Sequence, residues 1–586
     1  MWTPKRSITE CDALLTAPGM PYETETRLIN GRVVRAYKHL DSSLRDFWLK
    51  NAALHKEKIY MVYEDQRWTF DSVFQTSLGL AAIFKEVYRV NKGDRITICA
   101  RNLPEYIFVF WACHLLGAIC VLPNAWLPAD PLLHCINKTE NKLVFLDSER
   151  AERLEFAITG LKRDGVAAVI VLDHDISKWK GILGWNEFLS NRHTDPSKIL
   201  SGDIQVGPED DASIFFTSGT TGLPKGVLST HRQFLTNLLN VTYSPARARL
   251  RAGLDLAPPP TNGPQRGILL SVPLFHVTGG NATILMSAAY GAKMVIMRKW
   301  DAAEAMRLIA RENIQTAGGV PSMVIDMLNT PNASVRIESV MFGGSVPPEQ
   351  LPERARAAFP GAVLSQAYGL TESNSTAISV AGHDYDARPT STGLPCPVAD
   401  VLIMRDDKEV PRGETGELWL RGVNIMKGYW RDPAANEKAL TPDGWFRTGD
   451  LAAIDEDGFI YIRDRIKDLI IRGGENIDSS TVENALYSDP RVHAAAAVGV
   501  PDYRLGELVA AVVSIRPEYH GAVKESEIIE VTRKLLPKYA VPVIVVVQDA
   551  PFEMTPSGKI IKAPLRALAK AEWEKRKAAS SPASRL

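Results

Sequence analysis

Short apolar runs alternate with amphipathic stretches along most of this chain, and that alternation restricts the fold more than any other feature. Residues 96–100, 143–146, 167–172, 268–272 and 293–297 are apolar blocks of strand length. Between them, segments such as 230–240 place Phe234, Leu235, Leu238 and Leu239 on one helical face. Such alternation predicts α/β layers with largely parallel sheets, whose strand-end loops carry the chemistry. From Asp400 the texture changes to short strands punctuated by Gly and Asp, as at 417–420 and 459–462. Past Arg465 a compact β/α pattern follows, with apolar strands at 494–500, 509–515 and 541–547. At 586 residues the chain exceeds one ordinary core, and the domain boundary is expected within 464–468. Residues 244–265, rich in Arg and Pro, read as an exposed loop.

Composition removes several function classes. The 68 basic residues cancel the 68 acidic ones, so no overall positive field recruits nucleic acid or an anionic membrane. Cys11, Cys99, Cys113, Cys120, Cys135 and Cys396 are scattered without metal-ligand spacing, which suits a reducing compartment and no structural metal. Residues 106–129 contain no Asp, Glu, Lys or Arg and approach the length of a membrane span. His114, Gly117, Pro123 and Pro128 interrupt them, which predicts a buried helix ending near Gly117, then a core strand over 118–122, and no transmembrane segment. Residues 1–10 carry no signal-peptide core. At the other end, a small-residue stretch leads to Ser584-Arg585-Leu586, similar to the S-K-L peroxisomal address. The expectation is a peroxisomal protein recognised by the import receptor, cytoplasmic if the signal is not read.

The most distinctive segment spans residues 212–230. Thr217, Ser218, Gly219, Thr220, Thr221, Gly222 and Lys225 follow the apolar run Ile214-Phe215-Phe216. Glycines let backbone N–H groups curl around an anion, and hydroxyls and a lysine add donors and charge, so polyphosphate is the natural guest. The spacing is not that of a Walker A loop, because Lys225 lies between Pro224 and Gly226. Further motifs follow in order: Ser365-Gln366-Ala367-Tyr368-Gly369-Leu370-Thr371-Glu372; Gly444 to Asp450; Asp464-Arg465-Ile466-Lys467-Asp468; and Thr555-Pro556-Ser557-Gly558-Lys559.

This series resembles the ANL superfamily of adenylate-forming enzymes over roughly residues 50–570. The resemblance implies an α/β fold: a large N-terminal domain (1–464) of stacked sheets plus a β-barrel-like part, and a small mobile α+β domain (465–570) turning about a hinge at Lys467. Residues 571–586 are expected to form a flexible tail. It also implies an ATP-dependent acyl-CoA ligase using Mg²⁺ and CoA. Thr217 to Lys225 would hold the β- and γ-phosphates. Gln366 and Gly369 fall in the nucleotide site, Tyr368 against adenine, and Asp450 with Arg465 on the ribose. Thr371 would contact the α-phosphate, Glu372 would help bind Mg²⁺, and Lys559 would bridge carboxylate and α-phosphate. His276, Val277, Gly280, Gly319, Gly343, Gly344 and Ser345 match the acid pocket, and Gly473, Gly474 and Glu475 match the loop lining the pantetheine tunnel. A fatty acid of medium or long chain, or a related acid, is the expected substrate. Two alternatives stand beside this reading: an acyl-AMP ligase serving a separate carrier protein, and a non-catalytic nucleotide-binding protein.

Overall fold

A computed structural model describes the chain except residues 1, 191–193, 218–222, 257–262, 331–334, 474, 556–557 and 581–586. Among the described residues, the large N-terminal part holds a seven-stranded and a nine-stranded sheet. In the first, Asp211–Thr217, Ile119–Leu122, Arg95–Cys99, Leu143–Leu146 and Ala168–Val171 run parallel, and Lys225–Thr230 joins antiparallel. In the second, Thr316–Gly319, Ser339–Gly343 and Val363–Leu370 lie parallel, and Ser375–Ala381 returns antiparallel beside them. Ile119–Leu122, Leu143–Leu146 and Ala168–Val171 are buried at every position, which is why they read as unbroken apolar runs.

The segment of membrane-like composition is the helix Pro104–Leu116, followed by the strand Ile119–Leu122. Pro104 fits the first turn, where no N–H is needed, and Gly117 ends the helix in the left-handed region at φ 69°. Every residue of the helix except Glu105 is buried, so its apolarity belongs to a core. Among the described residues, no helix is long and apolar enough to cross a membrane. All six cysteines are free and buried.

The barrel-like part is a five-stranded antiparallel sheet, with Ala399–Arg405, Gly416–Gly422 and Phe446–Ile454 at its centre and Lys408–Glu409 and Ile460–Arg465 at its edges. From Ile460–Arg465 the chain passes through one turn into Ile470–Arg472 and the small C-terminal sheet. There Val492–Asp502 pairs with Gly506–Ile515, alanines alternating between two apolar clusters on opposite faces.

Two expectations about the chain's course are corrected. Residues 244–251 are not loop but the end of the long helix His231–Arg251, with Pro245 inside it. The helix tolerates the proline because it is firmly started, by reciprocal Thr230 and Gln233 hydrogen bonds, and because Phe234, Leu235 and Tyr243 are buried. The segment beginning at 571 is not flexible throughout, since the helix Lys562–Ser580 crosses that boundary. Its Leu565, Ala569 and Trp573 pack on the C-terminal sheet and so order the turns around them.

Candidate active site

Thr217 and Lys225 face each other across the antiparallel strand pair Asp211–Thr217 and Lys225–Thr230. The connecting residues Ser218, Gly219, Thr220, Thr221 and Gly222 lie outside the described residues. Both Thr217 and Lys225 line a cleft of about 770 Å³. Nζ of Lys225 stands 5.0 Å from the centroid of the Tyr429 ring. The Tyr429 hydroxyl in turn donates to Oε1 of Glu372 at 2.8 Å. Burial pushes the Glu372 carboxyl pKa up, so this group gains from a nearby cation.

Thr371 and Glu372 reach the cleft because the chain doubles back sharply here. Thr371–Ser373 is one 3-10 turn, and Asn374 then adopts φ 55°. A Cβ on Gly369 would fall 1.4 Å from the Ser375 carbonyl oxygen, so the reversal requires glycine. On the same strand, Gln366 is buried and its Oε1 has no partner among the described residues, leaving an amide that a ligand can satisfy.

Asp450 and Arg465 are register partners on neighbouring strands. Nε of Arg465 lies 2.9 Å from Oδ1 of Asp450, and the Tyr368 hydroxyl donates to Oδ2 at 2.7 Å. Asp450 is thus held at both oxygens behind Tyr368 and Arg465, which line the cleft. The Tyr368 side chain, expected against adenine, is also the clamp on the expected ribose ligand.

Lys559 enters from the C-terminal domain. Its backbone N–H donates to Oγ1 of Thr555 and its carbonyl accepts from the Thr555 N–H, which ties the two residues together. The Ser322 hydroxyl, on the helix Pro321–Leu328, donates to the Gly558 carbonyl at 2.9 Å. The lysine then lies beside Gly344, where a Cβ would stand 3.5 Å from its Cε. Burial, followed by repulsion from Arg465, pushes the Lys559 ammonium down to about 8. Burial, with Lys559 adding to it, pushes His276 down to about 4, so its imidazole is neutral at pH 7.

Val277, Gly319, Gly343 and Gly344 line the cleft with His276. Gly280 and Ser345 do not. Gly280 sits in the π-helical turn Thr278–Thr283, which directs it at the core: a Cβ there would meet the Leu274 carbonyl at 2.1 Å. Ser345 is exposed beyond the end of its strand. Lys467 is exposed in the turn after Arg465. Gly473 and Glu475 do not line the cleft: the Gly473 N–H donates to the Leu505 carbonyl, and Glu475 pairs with Arg472 and is exposed. Gly474 lies outside the described residues.

The profile of the AMP-binding enzymes matches residues 48–430, and that of the AMP-binding enzyme C-terminal domain matches residues 481–559. The chain belongs to the AMP-binding enzyme family. This places it in the ANL adenylate-forming superfamily, on the acyl-CoA synthetase branch. It is 30% identical over 496 residues to a long-chain-fatty-acid–CoA ligase of Mycobacterium tuberculosis, covering 84% of this chain and 89% of that one. It is 28% identical over 570 residues to 4-coumarate–CoA ligase 1 of Solanum tuberosum, covering 94% and 98%. The structure of O-succinylbenzoate coenzyme A synthetase from Bacillus subtilis, in complex with ATP and magnesium ion, superposes with a TM-score of 0.73 at 27% identity. That match covers 89% of this chain and 99% of that one.

Sequence reading passed over Tyr429, Met341, Ser244 and Ser379, all of which line this AMP-binding enzyme's cleft. The Gly428-Tyr429-Trp430 stretch offers only a turn glycine before two aromatics, a pattern shared with many core segments.

Proposed function

We propose that this chain is an AMP-forming acid–thiol ligase that activates a fatty acid of medium or long chain, or a related carboxylic acid, and transfers it to CoA. The observation that carries this reading is the convergence on one cleft of Thr217 and Lys225, Glu372, the Asp450–Arg465 pair and Lys559.

A carboxylate resists thiols because it is already anionic and its oxygen leaves badly. In the first half-reaction a carboxylate oxygen attacks the α-phosphate of ATP; the new O–P bond gives acyl-AMP, and the bond to the β-phosphate breaks to release pyrophosphate. Lys225 and the Thr217 hydroxyl hold the outer phosphates, while Asp450 and Arg465 fix the ribose. Lys559 places positive charge where negative charge accumulates, a preorganised contribution of about 3 to 4 kcal/mol. Neutral His276 orients the carboxylate without adding a competing cation. In the second half-reaction the CoA thiol sulfur bonds to the acyl carbon, AMP leaves, and the thiol proton is released. Gly473 and Glu475 do not line the cleft in this arrangement, so they serve the second step after rotation at Lys467, between domains 1–464 and 465–570.

Magnesium fits this donor set. Among the described residues there is no cluster of three or more His, Cys, Asp or Glu side chains able to hold a metal alone. Mg²⁺ commonly takes one or two carboxylates plus substrate phosphates, and Glu372 would supply the carboxylate. When bound, the ion neutralises charge on the outer phosphates.

The test is pyrophosphate release from ATP across aliphatic and aromatic acids, with and without CoA. Acid-dependent release with CoA consumption is the expected result. Release without CoA consumption would point to a separate carrier protein, and no release with any acid would overturn the reading. We also infer peroxisomal import through Ser584-Arg585-Leu586, which lie outside the described residues. An N-terminal fluorescent fusion should co-localise with a peroxisomal marker and lose that pattern without residues 584–586; diffuse signal from both forms would reject it.

A further inference from the structure

The acid end of the cleft continues into a slot between the helix His231–Arg251 and the nine-stranded sheet. Gly343 pairs with Ala367, and Ala367 with Ser379, so these three stand in one row near Lys559. Met341 and Ser365 come next on the same sheet face, roughly 7 Å deeper at about 3.4 Å per residue. Val241 and Ser244 line the slot from the helix. One turn further, Ala248 closes it against the end of Ser375–Ala381, where a Cβ on Gly382 would stand 3.1 Å from that of Ala248.

The closed end is hydroxyl-bearing. Ser244 is only 3% exposed yet lines the cavity, and its Oγ has no hydrogen-bond partner among the described residues. Pro245 cannot offer an N–H, which leaves the Val241 carbonyl without its helical donor one turn away. Ser365 also lines the slot, two residues deeper than the row that holds Ser379. Unpartnered hydroxyls at the bottom of a slot match an oxygen-bearing ligand end and are poorly matched by hydrocarbon.

We propose that Ser244, with Ser365, forms a distal polar subsite. The acid this chain activates carries a hydroxyl or carbonyl oxygen at the end remote from its carboxylate. The depth of roughly 7 Å fits a chain of about six carbons or one para-substituted ring, and excludes a long saturated chain. The inference rests on the adenylation reading above and narrows its substrate.

The test is pyrophosphate release with matched acids: hexanoate against ω-hydroxyhexanoate, and phenylpropanoate against its para-hydroxy form. The hydroxylated member should show kcat/KM higher by about tenfold or more, because a site built to bind a hydroxyl rejects the analogue lacking it. Ser244→Ala should collapse that ratio toward one, and Ser365→Ala should reduce it independently. A wild-type preference for the unsubstituted member of both pairs would overturn the subsite while leaving adenylation standing. So would a ratio that both variants leave intact. No release with any acid would instead sink the adenylation reading, and the subsite with it.

Discussion

Tyr429 holds Glu372 through a 2.8 Å hydrogen bond from its hydroxyl, while its ring lies under the ammonium of Lys225. One side chain therefore ties the phosphate-binding lysine to the carboxylate assigned to Mg²⁺. Tyr429→Phe keeps the ring and removes the donor, at a cost of about 1.5 to 3 kcal/mol for a bond to a charged group. Adenylation should slow roughly 10- to 100-fold, with a shifted Mg²⁺ requirement. Pyrophosphate release titrated with Mg²⁺ checks this; an unchanged midpoint would remove Tyr429 from the site.

Lys559→Ala should slow adenylation by about 10² to 10³ and affect thioester formation from supplied acyl-AMP much less. There is also a pH signature. The protonated lysine is the useful form, and its ammonium is pushed down to about 8 in the free protein. The kcat/KM for ATP should therefore fall as pH rises through about 8, and that limb should be missing in Lys559→Ala. Equal loss in both half-reactions would reject this role.

Lys467 is the third residue of the tight turn in which the Asp468 N–H donates to the Arg465 carbonyl at 2.9 Å. Proline is disfavoured at that position because it forces the preceding residue away from helical dihedrals. Lys467→Pro should therefore move the chain out of the arrangement that places Lys559 in the cleft. Adenylation should be depressed more than thioester formation from supplied acyl-AMP. Wild-type rates for both steps would show that the pivot lies elsewhere.

His114 lies in the core, its ring centroid 5.6 Å from that of His231, and neither of its nitrogens has a partner among the described residues. Burial, with repulsion from His231, holds His114 well below the usual histidine range, and burial holds His231 at about 4. The unfolded chain takes up these protons near pH 6.5, before the folded one does. The stability tied to these histidines is thus full above about pH 6.5 and lost as pH falls toward about 4. His114→Leu removes one such group and relieves a desolvation cost of about 1 to 3 kcal/mol. Its thermal midpoint should exceed wild type at pH 7, and by more at pH 5. A lower midpoint at both would count against this account.

The residues legible in the sequence were those whose signal is local. Thr217, Lys225, Thr371, Glu372, Asp450, Arg465 and Lys559 sit in short motifs, and the folded chain gathers them at one cleft. Tyr429 carried no such signal, since its partner Glu372 is 57 residues away and only the tertiary fold brings them together. Ser244 was hidden by its neighbour: Pro245 and nearby arginines suggest a loop, while a strong start and buried aromatics sustain a helix. Gly280 and Ser345 fall within matching motifs, yet backbone direction turns one to the core and the other to solvent.

The loop that delivers Lys559 rests on the large domain at Gly558, where a Cβ would stand 2.5 Å from Cγ2 of Val320, and through the Ser322 hydrogen bond. Such a hydrogen bond contributes a net of about 0.5 to 1.5 kcal/mol. Only a ligand that prefers the docked form shifts the share of molecules in it. The ATP affinity measured on the whole chain is then the intrinsic affinity scaled by the fraction already docked. Substitutions at Ser322 or Gly558 would consequently register as weaker nucleotide binding, although neither residue lines the cleft.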